Sequence, residues 1–323
     1  MKKGLYLFSI LFLTGCASHN QGNVNEQYDV DWNTPTFSRQ TDSYKYVFSG
    51  QIGYRDRGFS SDTLVFPPIP GLVHESVLSF CPVDTCYSEY SVLALRCPEI
   101  PALLDWMSHQ AKGFADGCSV GDRMTCDTNS CDKDIPFKSF MNAKDICSYY
   151  VGELRKIYQN WSCPGNGDHD IANEQAGSLI VDCWKQGPYV TFYKSFWYDW
   201  VSCGDNTREY YITVDSETGE ELSLNDFVRE KDYDLLAREL MRRLRSGNGE
   251  LYENQRTYSQ FDHQPTDVDI LLEYDSMGLI REGLIITYVP YHLGCGADGS
   301  YTAIIPYNKL RGILKERYLP VCK

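Results

Sequence analysis

Hydrophobic residues recur along the chain with two different periods. Tyr44–Ile52 alternates apolar and polar positions as a first strand would, and shorter strand-like runs follow at Thr63–Phe66, Val77–Phe80 and Tyr87–Leu95. The spacing then changes to three and four. Ile100, Leu103, Leu104, Met107, Ala111 and Phe114 fall on one face of a helix. Pro98 and Pro101 stand near its start, where proline is tolerated. A second helix is predicted from Phe140 to Tyr158, with Phe140, Ala143, Cys147, Tyr150, Val151, Leu154 and Ile157 in register.

The second half alternates more clearly. Strands are predicted at Ser178–Trp184, Pro188–Trp200 and Glu209–Asp215, followed by a turn ending at Gly219. Leu222–Phe227 leads into a helix over Asp232–Arg245, lined by Tyr233, Leu236, Leu240 and Leu244, with Gly247 placed as its C-terminal cap. Further strands are predicted at Val268–Tyr274, Leu284–Val289 and Tyr301–Ile305. A last helix over Tyr307–Arg317 points Leu310, Ile313 and Leu314 inward. This order predicts an α+β fold: antiparallel sheets with helices packed on one face, in two related or adjoining subdomains. The expected segments are 1–15, 16–42, 43–187 and 188–323.

The first of these segments has its own pattern. Lys2-Lys3 precedes an apolar run, Gly4–Leu13, which ends in Leu13-Thr14-Gly15-Cys16. The run is half of the roughly 20 residues that span a bilayer as a helix. A charged start, apolar middle and small-residue end make a secretory signal, and its last four residues resemble a lipoprotein lipobox. The expectation is cleavage before Cys16, acylation of Cys16 and a membrane held only through the lipid. Residues 17–42 are polar and poor in aliphatics, as a flexible tether would be. No acid follows Cys16 directly, which resembles lipoproteins sorted to the outer membrane, facing the periplasm.

Loss of residues 1–15, which carry two lysines and no acid, takes the net charge from −14 to −16. Such a surface repels nucleic acid and suits cationic partners. Twelve cysteines remain after Cys16: Cys81, Cys86, Cys97, Cys118, Cys126, Cys131, Cys147, Cys163, Cys183, Cys203, Cys295 and Cys322. An even count in an exported chain predicts a disulfide-rich fold. The C-x₄-C spacing of Cys81/Cys86 and Cys126/Cys131 lies at the edge of zinc-site spacing, and no tighter pair accompanies it. No metal and no cofactor is expected.

Three blocks carry a resemblance to a known family. They are the aromatic strand Tyr189–Tyr198, the stretch Tyr210–Phe227 containing Asp215-Ser-Glu-Thr-Gly219, and Gly283–Leu293 with Pro290-Tyr-His-Leu293, followed by Gly299 and Ile305-Pro-Tyr-Asn-Lys-Leu310. Together these resemble the RsiV-type extracytoplasmic domain. That domain belongs to a lysozyme-sensing anti-sigma factor and also stands beside the catalytic domain of the peptidoglycan deacetylase PdaC. The family's glycine- and histidine-containing loop after the first strand reads Cys203-Gly-Asp-Asn-Thr207 here, and its Pro-Tyr-Glu-Ile reads Pro290-Tyr-His-Leu293. Each altered loop has gained a cysteine, so a Cys203–Cys295 bridge is a natural hypothesis.

Catalytic chemistry is sparse. The chain has no G-x-S-x-G, no H-E-x-x-H and no glycine-rich phosphate loop. Asp168-His169-Asp170 reads as a solvated turn. Asp29-Val-Asp31 starts like a calcium loop but lacks its glycine and its final glutamate. Large aromatics favour binding surfaces, so Trp197, Tyr198, Trp200, Tyr291 and His292 are the candidate binding residues. The resemblance implies a non-enzymatic module for a cationic protein of the lysozyme kind or a cell-wall fragment. The alternatives are an enzyme acting on peptidoglycan or glycan and a structural role in envelope assembly.

Overall fold

The computed structural model describes residues 70–80, 88–119, 135–159, 173–200, 204–246, 267–289, 292 and 301–320. All belong to one compact unit spanning 32–323. The elements are β1 (Val73–Phe80), β2 (Ser88–Arg96), α1 (Pro101–Ser119), α2 (Ala143–Gln159), β3 (Asn173–Gln186), β4 (Tyr189–Trp200) and β5 (Gly204–Asp215). After these come α3 (Leu224–Phe227), α4 (Tyr233–Ser246), α5 (Asp267–Leu272), β6 (Ser276–Leu279), β7 (Gly283–Tyr288), β8 (Tyr301–Pro306) and α6 (Tyr307–Leu310).

Two sheets result. The first has the order β1-β2-β3-β4-β5 and the second β6-β7-β8. Pairing is antiparallel except between β2 and β3, which run parallel with Leu95 opposite Ile180. A parallel pair needs a long crossover, and α1 and α2 supply it. They cover one face of the first sheet, where Leu93, Leu95, Ile180 and Phe192 pack with Leu103, Met107, Ile146 and Tyr150. The opposite face, carrying Val92, Leu179, Val181 and Tyr193, meets Ile280, Ile285 and Ile304 of the second sheet and its β6–β7 turn. The outer face of the second sheet is covered by Leu236, Leu240, Met241 and Leu244 of α4 and Ile270 and Leu271 of α5.

The architecture is therefore mixed α+β with mostly antiparallel strands, as expected, but its helices lie on two outer faces of a pair of stacked sheets. This arrangement explains the unbroken apolar run in β7. All six of its residues are buried, because that strand has protein on both faces. The expected boundary at 187 falls in the tight turn joining β3 to β4. These strands pair from Gln186–Tyr189 outward, so the sheet continues across it.

Three elements differ from expectation. Val268–Tyr274, read as a strand, forms α5 instead. Its consecutive Ile270 and Leu271 are both fully buried against α4, which suits a helix packed sideways rather than an alternating strand. The strand actually present is β6, whose four buried residues include Ser276 and Gly278 and so carry little apolar signal. The last helix stops at Leu310. Gly312 takes φ +84, a left-handed conformation that ends a helix, yet Leu310, Ile313 and Leu314 still point inward. The second helix starts at Ala143 because Asn142 caps it: Asn142 Oδ1 accepts the Asp145 N–H at 2.9 Å while Asp145 Oδ2 accepts from Asn142 Nδ2.

Gly283 begins β7 where the backbones crowd. A Cβ there would sit 2.0 Å from the Ile305 carbonyl oxygen. Gly219 ends its turn at φ +77, its N–H bonded to the Asp215 carbonyl at 2.7 Å.

No disulfide joins two described residues. Cys97, Cys147 and Cys183 stand as thiols. Cys183 donates to the Thr191 carbonyl at 3.2 Å on the intersheet face, while Cys147, on the buried face of α2, donates to the Leu93 carbonyl at 3.6 Å. Cys97 packs on the helix-covered face and Cys183 on the other, so the sheet separates them. Burial pushes all three thiols well above the ordinary range, with Asp182 adding to it at Cys97 and Cys183 and Glu75 at Cys147. Cys118 is partly buried at the end of α1. The other eight nominated cysteines and the Cys203–Cys295 hypothesis lie outside the described residues, as does Cys16.

Candidate functional site

One polar cluster forms where α5, β6 and the exit of β7 meet. Asp275 immediately precedes β6, and its N–H bonds to the Thr287 carbonyl at 3.0 Å. Its Oδ2 accepts twice, from the Val289 N–H at 2.8 Å and across 2.7 Å from His292 Nδ1. The His292 N–H in turn donates to the Val289 carbonyl at 3.2 Å. One carboxylate thus closes the turn after β7 and holds the imidazole. Glu273 approaches from the end of α5, with Oε2 at 3.9 Å from His292 Nε2. The ring of Tyr288 meets His292 edge-on at 5.7 Å, and the Tyr288 hydroxyl anchors to the Ile270 carbonyl at 2.8 Å.

The neighbouring strand β5 completes the surroundings. Ser276 Oγ accepts the Tyr211 N–H at 2.9 Å, which ties β6 to the edge of the first sheet. Tyr193, fully buried, donates its hydroxyl to Glu209 Oε1 at 2.8 Å. Burial raises the Tyr210 phenol; Arg208 opposes that shift, and the Asp275 charge adds to it. Glu209, Tyr210 and Asp275 therefore lie around the β5–β6 seam.

The chemistry available is limited. Nδ1 of His292 is engaged by Asp275 and Nε2 faces Glu273, so no described hydroxyl or thiol stands ready for activation by the ring. Among the described residues no group of three or more His, Cys, Asp or Glu side chains is arranged to hold a metal. No described helix is long and apolar enough to cross a membrane.

Of the five candidate binding residues, His292 joins this cluster. Trp197, Tyr198 and Trp200 belong to the end of β4, paired with Thr207, Asn206 and Gly204 of β5. Their side chains, and Tyr291, lie outside the described residues, as does Asp168-His169-Asp170. Nothing in the local sequence marks Asp275 or Glu273. A strand assignment over Val268–Tyr274 hid the helix end that brings Glu273 close, and nothing local tied Asp275 to a histidine seventeen residues on.

Comparison with known proteins gives this second half a relative. Residues 224–308 match the family described as "Protein of unknown function (DUF3298)". That span runs from α3 to α6 and contains the whole second sheet with the helices on its outer face. Two solved structures are similar to the chain. A DUF3298 family protein from Pseudomonas aeruginosa is 13% identical, with a TM-score of 0.45, covering 78% of this chain and 97% of that one. A DUF3298 family member from Bacteroides fragilis is 12% identical, with a TM-score of 0.44, covering 76% and 94%. No curated protein matches.

Proposed function

We propose that this chain is a lipid-anchored envelope protein acting as a non-enzymatic binding module for a cationic protein of the lysozyme kind, or for a cell-wall fragment. The carrying observation is the gathering of Glu273 and Asp275 about His292 at the exit of β7, on a chain of net charge −14. Carboxylates at a half-exposed loop favour lysine and arginine side chains, and a large negative net charge speeds the approach of a basic protein. The resemblance to the RsiV-type domain supports the same partner class. The anchor is Cys16, and the place is the outer membrane facing the periplasm.

Calorimetric titration with lysozyme at low and moderate salt tests the partner. Binding that weakens with salt is expected; absence of heat at both salts rejects lysozyme. Labelled palmitate tests the anchor: incorporation should occur in the wild type and vanish in Cys16→Ala.

A further inference from the structure

A different group of residues lies between α1 and the helix-covered face of β4 and β5. Lys194 stands opposite Tyr210, and Phe196 stands opposite Arg208. Antiparallel partners share a face, and residues two apart on a strand share it too. Lys194, Tyr210 and Arg208 therefore project on one side of the sheet.

The ammonium of Lys194 donates to Gln110 Oε1 at 2.8 Å and lies over the Tyr210 ring at 5.8 Å. Gln110 is held in turn: its Nε2 donates to Glu221 Oε1 at 3.0 Å, and Trp106 Nε1 donates to the same oxygen at 2.7 Å. Trp106 is fixed by stacking on Phe192 at 4.4 Å between ring centres. The amide of Gln110 thus presents its oxygen to Lys194 and cannot turn without losing Glu221.

Neither cation has a carboxylate within ion-pair distance among the described residues. Burial drives Lys194 towards the neutral amine, and the Glu221 charge only partly offsets this. Arg208 is exposed, and its charge opposes the rise that burial imposes on the Tyr210 phenol. A mostly buried ammonium normally has a counter-ion. Two cations on one face with no carboxylate partner among the described residues are unexpected in a chain with 44 acids against 30 bases.

We propose that Lys194 and Arg208, with Tyr210 between them, form a site for a carboxylate, carried by a small organic acid or by a peptide chain end. Arg208 supplies a planar donor pair at the open side and Lys194 a point charge at the buried side. Nearby Glu221 limits the charge the site tolerates, which favours a monoanion over a phosphate dianion. The site meets the surroundings of the His292 cluster only at Tyr210, whose phenol senses the Asp275 charge, and it does not depend on the function proposed above.

The test is calorimetry on the full chain with four probes: acetate, inorganic phosphate, N-acetyl-alanyl-alanine and its C-terminal amide. Saturable binding of acetate or the free-acid peptide is expected, with phosphate and the amide at least about ten-fold weaker. Lys194→Met and Arg208→Gln should each weaken the carboxylate by about ten-fold or more. Binding of the peptide but not acetate would assign a chain end; binding of both would assign any small carboxylate. Arg208→Gln lies at an exposed position, so it reports even if Lys194→Met does not fold. The proposal is overturned if no carboxylate saturates, if phosphate binds as well as the carboxylates, or if Arg208→Gln binds like wild type.

Discussion

Arg96 clasps Asp182 across the one parallel strand pair among the described residues. Its Nε meets Asp182 Oδ1 at 2.6 Å, and a second guanidinium nitrogen donates to the Asp182 carbonyl at 2.5 Å. Asp182 sits at the bulge that ends the regular β3–β4 register, so a single side chain holds both the parallel pair and the irregular corner. The Arg96 side chain is 14% exposed and that of Asp182 27%. Arg96→Met leaves a largely buried carboxylate and a carbonyl unpaired. It should cost about 2–3 kcal/mol, below the range for fully buried pairs because Asp182 keeps some solvent. Urea denaturation measures this; a loss under about 0.5 kcal/mol would show that the clasp is incidental.

Gly283→Ala should be among the most damaging single changes. The added carbon would meet Ile305 backbone atoms, which belong to a paired strand and cannot swing aside as a flexible side chain could. A loss of about 3 kcal/mol or more is expected, or failure to accumulate as soluble protein. Wild-type stability would show that β7 and β8 can separate locally.

Glu282 lies in the β6–β7 turn with Oε2 buried and unpartnered. Burial raises its carboxyl, and its own backbone N–H and the Arg281 charge only partly offset that. The native state therefore keeps this proton to higher pH than the unfolded chain does. Between those two ranges stability falls as pH rises, and the cost is fully present above the native range. Glu282→Gln should therefore stabilise the protein at about pH 8, by about 1 kcal/mol, and lose that advantage near about pH 4. Urea midpoints of both proteins across this interval decide it; equal midpoints at about pH 8 would refute it.

Asp275→Ala removes the acceptor of both the Val289 N–H and His292. The turn after β7 should loosen, with a stability loss of about 1–3 kcal/mol, and hydrogen exchange at Val289 should accelerate. Under the proposed function the same change weakens lysozyme binding. His292→Ala keeps Asp275 bonded to Val289, so it should weaken binding with a smaller effect on exchange. Identical behaviour of the two variants would mean that the carboxylate acts only through the histidine.

Native Cys147 and Cys183 should resist iodoacetamide, being buried and held as neutral thiols. In the unreduced, urea-unfolded chain, Cys97, Cys147 and Cys183 should all be alkylated. Mass spectrometry of the peptides checks this, and recovery of any of the three as a cystine would contradict the thiol assignment.

Elements whose burial follows a period are legible from the order of residues alone. The α1 face from Leu103 to Phe114 and strands β2, β4, β5, β7 and β8 were legible because covering one or both faces imposes a regular apolar pattern. His292 stood out only through its place beside Pro290-Tyr291. Tertiary structure decided the rest. The chain around Ile270 became a helix because α4 offers a surface that buries two consecutive side chains. The parallel β2–β3 pair, the stacking of two sheets and the separation of Cys97 from Cys183 depend on which faces meet, and no local pattern encodes that. The meeting of His292 with Asp275 and Glu273, and of Lys194 with Gln110 and Tyr210, has the same origin. Polar groups far apart in sequence become partners only when packing fixes the backbones that carry them.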